Sequence, residues 1–106
     1  MTVALDVERE IAAIAKALGH PARVRIVRLL LEQDACYCGQ LVGELALAQA
    51  TVSQHLKMLK EAGLVQGEIE GTRTCYCASR ERLSTLHGLL GTMLVEAAGL
   101  DSSGCD

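Results

Sequence analysis

Between Gln49 and Ala78 the apolar residues change their period, and that change constrains the fold more than any other feature. Val52, Leu56 and Leu59 recur at intervals of three and four, the spacing of one helical face. Ala50, Ser53, Gln54 and Lys57 fall on the opposite side of this helix, which the spacing predicts over 49–62 with Gly63 closing it. Directly afterwards "LVQGEIEGTRTCYCAS" alternates and carries Gly71 at its middle. That pattern predicts a β-hairpin with strands near 64–70 and 73–78 and its tip at Glu70-Gly71-Thr72.

The flanking sequence is helical. Val7, Ile11, Ile14, Ala15 and Leu18 predict a first helix over 5–19, ended by Gly19. Pro21 opens a second, about 21–33, with Val24, Val27, Leu30 and Leu31 on one face and Arg23, Arg25 and Arg28 elsewhere. A short third helix, about 39–46, leads through "ALAQ" into the helix at 49–62. The last helix, 80–98, places Leu83, Leu86, Leu90, Met93, Leu94 and Ala97 at helical spacing. The tail, 99–106, is polar and expected to be flexible. Two short helices joined by a tight turn make a helix-turn-helix, and the hairpin adds a wing. The predicted fold is therefore mainly α with a small β-hairpin, a single winged-helix domain over 1–98 in the order α-α-(β)-α-α-β-β-α.

Composition narrows the setting. A chain of 106 residues suits one domain, and half its residues are hydrophobic. With no Phe and no Trp, the core must be aliphatic. The apolar runs are too short for a membrane span. "MTVALDVERE" lacks a basic region followed by an apolar one, so no secretory signal and a cytoplasmic location are expected. Five cysteines, an odd number, then fit a reducing compartment in which thiols stay free for metal or redox chemistry. The net charge of −3 does not by itself suggest nucleic acid, but a local basic face is enough to bind it. No Cys–His pairing and no glycine-rich phosphate loop suggest an enzyme.

The outward side chains of the 49–62 helix are short and polar, as base edges in a major groove require. Gln49, Thr51, Ser53, Gln54 and His55 can donate or accept hydrogen bonds, while Lys57, Lys60 and Arg73 can meet phosphates. An ordinary solvated helix has the same polarity, and the order of elements is what separates the two readings. "LAQATVSQHLKMLKEAGLV", Leu47 to Val65, resembles the DNA-reading segment of the ArsR family of metal-sensing winged-helix repressors. "KALGHPARVRIVRLLL", Lys16 to Leu31, is similar to the same family's second helix. The resemblance covers roughly residues 10–80. It implies a homodimer that holds double-stranded operator DNA and leaves it when an inducer binds. Gln49, Thr51, Ser53, Gln54 and His55 match the family's reading positions, whereas Ala48 and Ala50 stand where members often have Ser.

Four of the five cysteines lie in two copies of one tripeptide, "CYC" at 36–38 and again at 75–77. In arsenic-responsive members of the family a similar Cys-x-Cys before the third helix carries the inducer site, with a third Cys three residues on. Cys36 and Cys38 match, but Leu41 occupies the third position. The second copy offers a replacement. If the two tripeptides form neighbouring strands, Cys36, Cys38, Cys75 and Cys77 come within reach of one ion, since strands lie about 4.8 Å apart. Thiolates select soft ions. Three suit As(III) or Sb(III), and four would suit Zn(II) or Cd(II). The competing readings are a redox or persulfide sensor of the same fold and a thiol-rich metal-binding protein without a DNA role. A buried Cys can also be a small hydrophobe, and Cys105 in the tail reads as a spare thiol. His20, His55 and His87 do not form a metal set. The apolar faces of the first and last helices predict a symmetric dimer interface, the plainer alternative being that the last helix covers the monomer core.

Overall fold

The computed structural model describes residues 2–32, 45, 47–70 and 73–98. Its elements are α1 (Thr2–Ala17), α2 (Pro21–Leu31), α3 (Gln49–Glu61), β1 (Val65–Glu70), β2 (Arg73–Ala78) and α4 (Arg80–Ala98). The predicted third helix, apart from helical Leu45, and the first Cys-Tyr-Cys lie outside the described residues. No helix among the described residues is long and apolar enough to cross a membrane.

Local chemistry sets each boundary. The chain leaves α1 at Leu18 and Gly19, and His20 then caps α2, its Nδ1 accepting from the Ala22 N–H at 3.0 Å. Pro21 follows at the first helical position, where a missing N–H costs nothing. At the far end of α3, Gly63 takes a φ of +81°. The Gly63 N–H donates to the Lys60 carbonyl and the Leu64 N–H to the Leu59 carbonyl, both at 3.0 Å. This paired closure needs a left-handed residue after the helix, and glycine adopts one without a Cβ penalty. It turns the chain directly into β1. The hairpin is antiparallel, in register from Val65↔Ala78 to Glu70↔Arg73. Ser79 starts α4, its Oγ accepting from the Arg82 N–H at 3.1 Å.

One aliphatic core joins these pieces. Ile14 and Ala17 enter it from α1, Ile26, Val27 and Leu30 from α2, and Val52, Leu56 and Leu59 from α3, with Leu64 and Val65 beneath. Arg82 fastens α4 to its neighbours. It forms an ion pair with Glu10 of α1, and its Nε donates to the Ala62 carbonyl at 2.8 Å. Arg80 donates to the Leu31 carbonyl at the end of α2 at 2.9 Å.

Helix α4 covers the core with its first half only. Leu83 and Leu86 pack against the core, whereas Leu90 is 42% exposed and Leu94 and Val95 are each 72% exposed. Among the described residues, the buried core cluster is joined by Leu83 and Leu86 of this helix and by none of its second half.

Candidate nucleic-acid interface and cysteine cluster

Helix α3 has a sharply divided surface. At about 100° per residue, Gln49, Ala50, Thr51, Ser53, Gln54, Lys57 and Lys60 occupy one contiguous arc, and all are exposed. Val52, Leu56 and Leu59 occupy the rest and are buried. Six of the seven predicted contacts on this helix therefore share one exposed polar face: Gln49, Thr51, Ser53, Gln54, Lys57 and Lys60. Ala48 caps the helix without a side-chain hydrogen bond, as expected of alanine at that position.

His55 departs from the expectation. Its side chain is only 7% exposed and lies on the core side of α3. Its Nδ1 accepts a hydrogen bond from Arg23 Nε at 3.1 Å, and its ring lies 4.5 Å from that of His20. It cannot reach a base edge from there. Burial, then the nearby His20 and Arg23, hold its pKa below the ordinary histidine value. The signal was in the sequence, because His55 completes the apolar spacing Val52, Leu56, Leu59 rather than the polar one. Arg23, placed only off the apolar face of α2 by its spacing, was not singled out.

The wing returns beside the polar face of α3. Tyr76 closes an open cleft of about 270 Å³ whose other walls are Ser53, Leu56, Lys57, Lys60 and Glu61 of α3. Gly67 faces Tyr76 across the hairpin. A Cβ there would come within 3.3 Å of both Lys60 Nζ and the tyrosine ring, so its absence lets helix and wing approach. Tyr76 thus joins the wing to α3 as well as belonging to the hairpin. The backbone of Arg73 opens β2, next to the wing tip, while its side chain lies outside those described.

Cys75 and Cys77 flank Tyr76 and pair with Glu68 and Gln66. Strand alternation turns both away from the face that carries Tyr76. Cys75 is 2% exposed and Cys77 is half-buried. Both are disulfide-bonded, in contrast to the free thiols expected from the cysteine count. Cys36, Cys38 and Cys105 lie outside the described residues. Among the described residues no group of three or more His, Cys, Asp or Glu is placed to hold a metal ion.

Residues 20–66 match the model of the family described as "Bacterial regulatory protein, arsR family". An HTH-type transcriptional regulator of Methanocaldococcus jannaschii, MJ1325, is 40% identical over 76 residues, covering 71% of this chain and 84% of that protein. The HTH-type transcriptional regulator CmtR of Mycobacterium tuberculosis is 37% identical over 83 residues, covering 78% of this chain and 70% of CmtR. Among solved structures, an ArsR-like transcriptional regulator from Rhodococcus superposes with a TM-score of 0.73 at 23% identity, over 84% of this chain and 83% of that one. A homodimeric winged helix-turn-helix DNA-binding domain from Mycobacterium bovis does so with a TM-score of 0.65 at 23% identity, over 96% of this chain and 92% of its own.

Proposed function

This chain belongs to the ArsR family of bacterial regulatory proteins, and on that footing we propose that it is a homodimeric repressor released from its operator at a cysteine cluster. It is a DNA-binding transcriptional regulator rather than an enzyme. Two copies of α3 would lie in successive major grooves, with Gln49, Thr51, Ser53 and Gln54 at the bases and Lys57 and Arg73 at phosphates. The exposed half of α4, with Leu90, Met93, Leu94 and Val95, supports a dimer interface. So does the homodimeric state of the Mycobacterium bovis domain.

The bonded state of Cys75 and Cys77 carries the inducer reading. Residues two apart in a strand have Cα atoms about 6.7 Å apart, at the outer limit for a disulfide. Cys36 and Cys38, from the first copy of the tripeptide, are the thiols we propose to complete the site. Sulfurs close enough to bond are close enough, once reduced, to share one soft ion. The ligand set is Cys36 and Cys38 with Cys75 or Cys77, and the inducer is As(III) or Sb(III) in the cytoplasm. Binding must favour the DNA-free state by the factor through which operator affinity falls.

The same observation favours a second reading, in which the inducer is an oxidant. Two thiols would pass two electrons and two protons to a peroxide, giving one disulfide and two molecules of water or alcohol. Fluorescence anisotropy on a duplex from upstream of the gene separates the two. Arsenite added anaerobically to fully reduced protein releases the duplex if the metalloid reading holds. Release by peroxide alone, with arsenite inert, replaces it with the redox reading.

A further inference from the structure

His55 belongs to the reading helix yet faces the corner where α1 ends and α2 begins. Arg23 occupies that corner. Its Nε donates to His55 Nδ1 at 3.1 Å, and its Nη1 reaches the carbonyls of Lys16 and Ala17, each at 3.4 Å. Those carbonyls belong to the last turn of α1. One guanidinium thus touches three helices. Because the groups it joins are a helix end, a helix start and the inner side of α3, its position bears on how α3 is set in the domain.

We propose that Arg23 and His55 form a proton-sensitive latch that positions the reading helix, so that operator affinity falls when the His55 ring is protonated. The first half of this rests on bond geometry. An imidazole nitrogen that accepts from Arg23 carries no proton, so the ring is neutral with its proton on Nε2. Protonation puts a second N–H on Nδ1, facing the Arg23 N–H. A hydrogen bond then becomes two opposed donors, each on a cation. The ring has nowhere to discharge this repulsion. Among the described residues the charged or titratable groups bearing on it are His20 and Arg23, both from the start of α2, and no carboxylate is among them. From α1 the groups at the same guanidinium are main-chain oxygens. The nearest exit is rotation of α3.

The second half rests on the repressor reading, and its sign is diagnostic. A protein that binds DNA only through cations gains positive charge as pH falls and binds phosphates more tightly. The latch predicts the reverse. His55 has a lowered pKa, so the locked state is fully favoured above the unperturbed histidine range. It is lost as pH falls through the lowered value.

At constant ionic strength, operator affinity of the reduced dimer should weaken on acidification, by up to about tenfold per pH unit and per protomer once the pH is below the lowered His55 value. His55→Asn retains an acceptor for Arg23 and cannot titrate, so it should bind near wild type at the higher pH and lose the dependence. His20→Asn keeps a good helix cap without a ring and should keep the dependence. Affinity that stays flat or tightens on acidification, or a dependence that survives in His55→Asn, overturns the proposal. Imidazole nitrogen NMR of the full chain without DNA reads the latch separately. His55 should show an unprotonated Nδ1 at neutral pH, a signature that Arg23→Gln removes. A proton on Nδ1, or a spectrum indifferent to Arg23→Gln, refutes the latch even if no duplex is bound. Failure of wild type to bind any duplex, with the NMR signature intact, refutes only the repressor reading.

Discussion

Replacing Gly63 with alanine tests the joint between reading helix and wing. Gly63 has a φ of +81° and is the residue at which α3 closes and β1 is launched. An alanine forced into that left-handed region costs about 1–2 kcal/mol. Its Cβ would also stand 3.3 Å from Arg82 Nε and 3.5 Å from Cδ. The arginine side chain can give way by a few tenths of an ångström. However, the same Nε donates to the Ala62 carbonyl at 2.8 Å, so the shift weakens a bond worth about 1 kcal/mol net. The sum is a loss of about 1–3 kcal/mol. For a domain of this size each kcal/mol lowers the melting temperature by roughly 4–8 °C. Urea and thermal unfolding at a fixed protomer concentration measure it, because dimerisation would make the midpoint depend on concentration. Gly63→Asn is the control, since asparagine tolerates the left-handed region better and should lose less. An alanine variant as stable as wild type, or an asparagine variant no better than the alanine one, would refute the reasoning.

Two further substitutions address the reading helix itself. Ala48 caps α3 with no side-chain hydrogen bond, so Ala48→Ser should add about 1 kcal/mol of stability in urea unfolding; no gain would mean the cap is satisfied another way. Lys57 is exposed on the polar face, so Lys57→Gln, which removes one phosphate contact from each protomer, should reduce the slope of log K against log salt by about 1.8 for the dimer, whereas Gln54→Ala should weaken binding without changing that slope.

Much of the architecture was legible because periodicity and punctuation agree. Val52, Leu56 and Leu59 mark the inner face of α3, Gly63 ends it, and the alternation of 65–78 gives a hairpin whose register runs as the turn residues imply. The predicted strand starting near 64 begins at Val65, and the predicted helix over 49–62 spans Gln49–Glu61. The candidate contacts were less legible. His55 was assigned by its polarity, although its position repeats the apolar spacing, and a polar side chain is tolerated inside because Arg23 satisfies it. No local pattern reveals such a partner 32 residues away. The split in α4 was hidden for a related reason. Leu83, Leu86, Leu90 and Leu94 form one stripe in sequence, and only the extent of the core decides where burial stops. The joining of Cys75 and Cys77 depends on what lies across the strand and on the redox setting, neither of which a tripeptide encodes.

The central claim is that cysteines drawn from both Cys-Tyr-Cys tripeptides govern release from DNA. Its most direct test is operator binding by single Cys→Ser variants at positions 36, 38, 75, 77 and 105, each reduced and then titrated anaerobically with arsenite. The account predicts that every variant binds the operator and that Cys36→Ser, Cys38→Ser and one of Cys75→Ser or Cys77→Ser no longer let go. Cys105→Ser should release like wild type. Release undiminished in both Cys36→Ser and Cys38→Ser would contradict it.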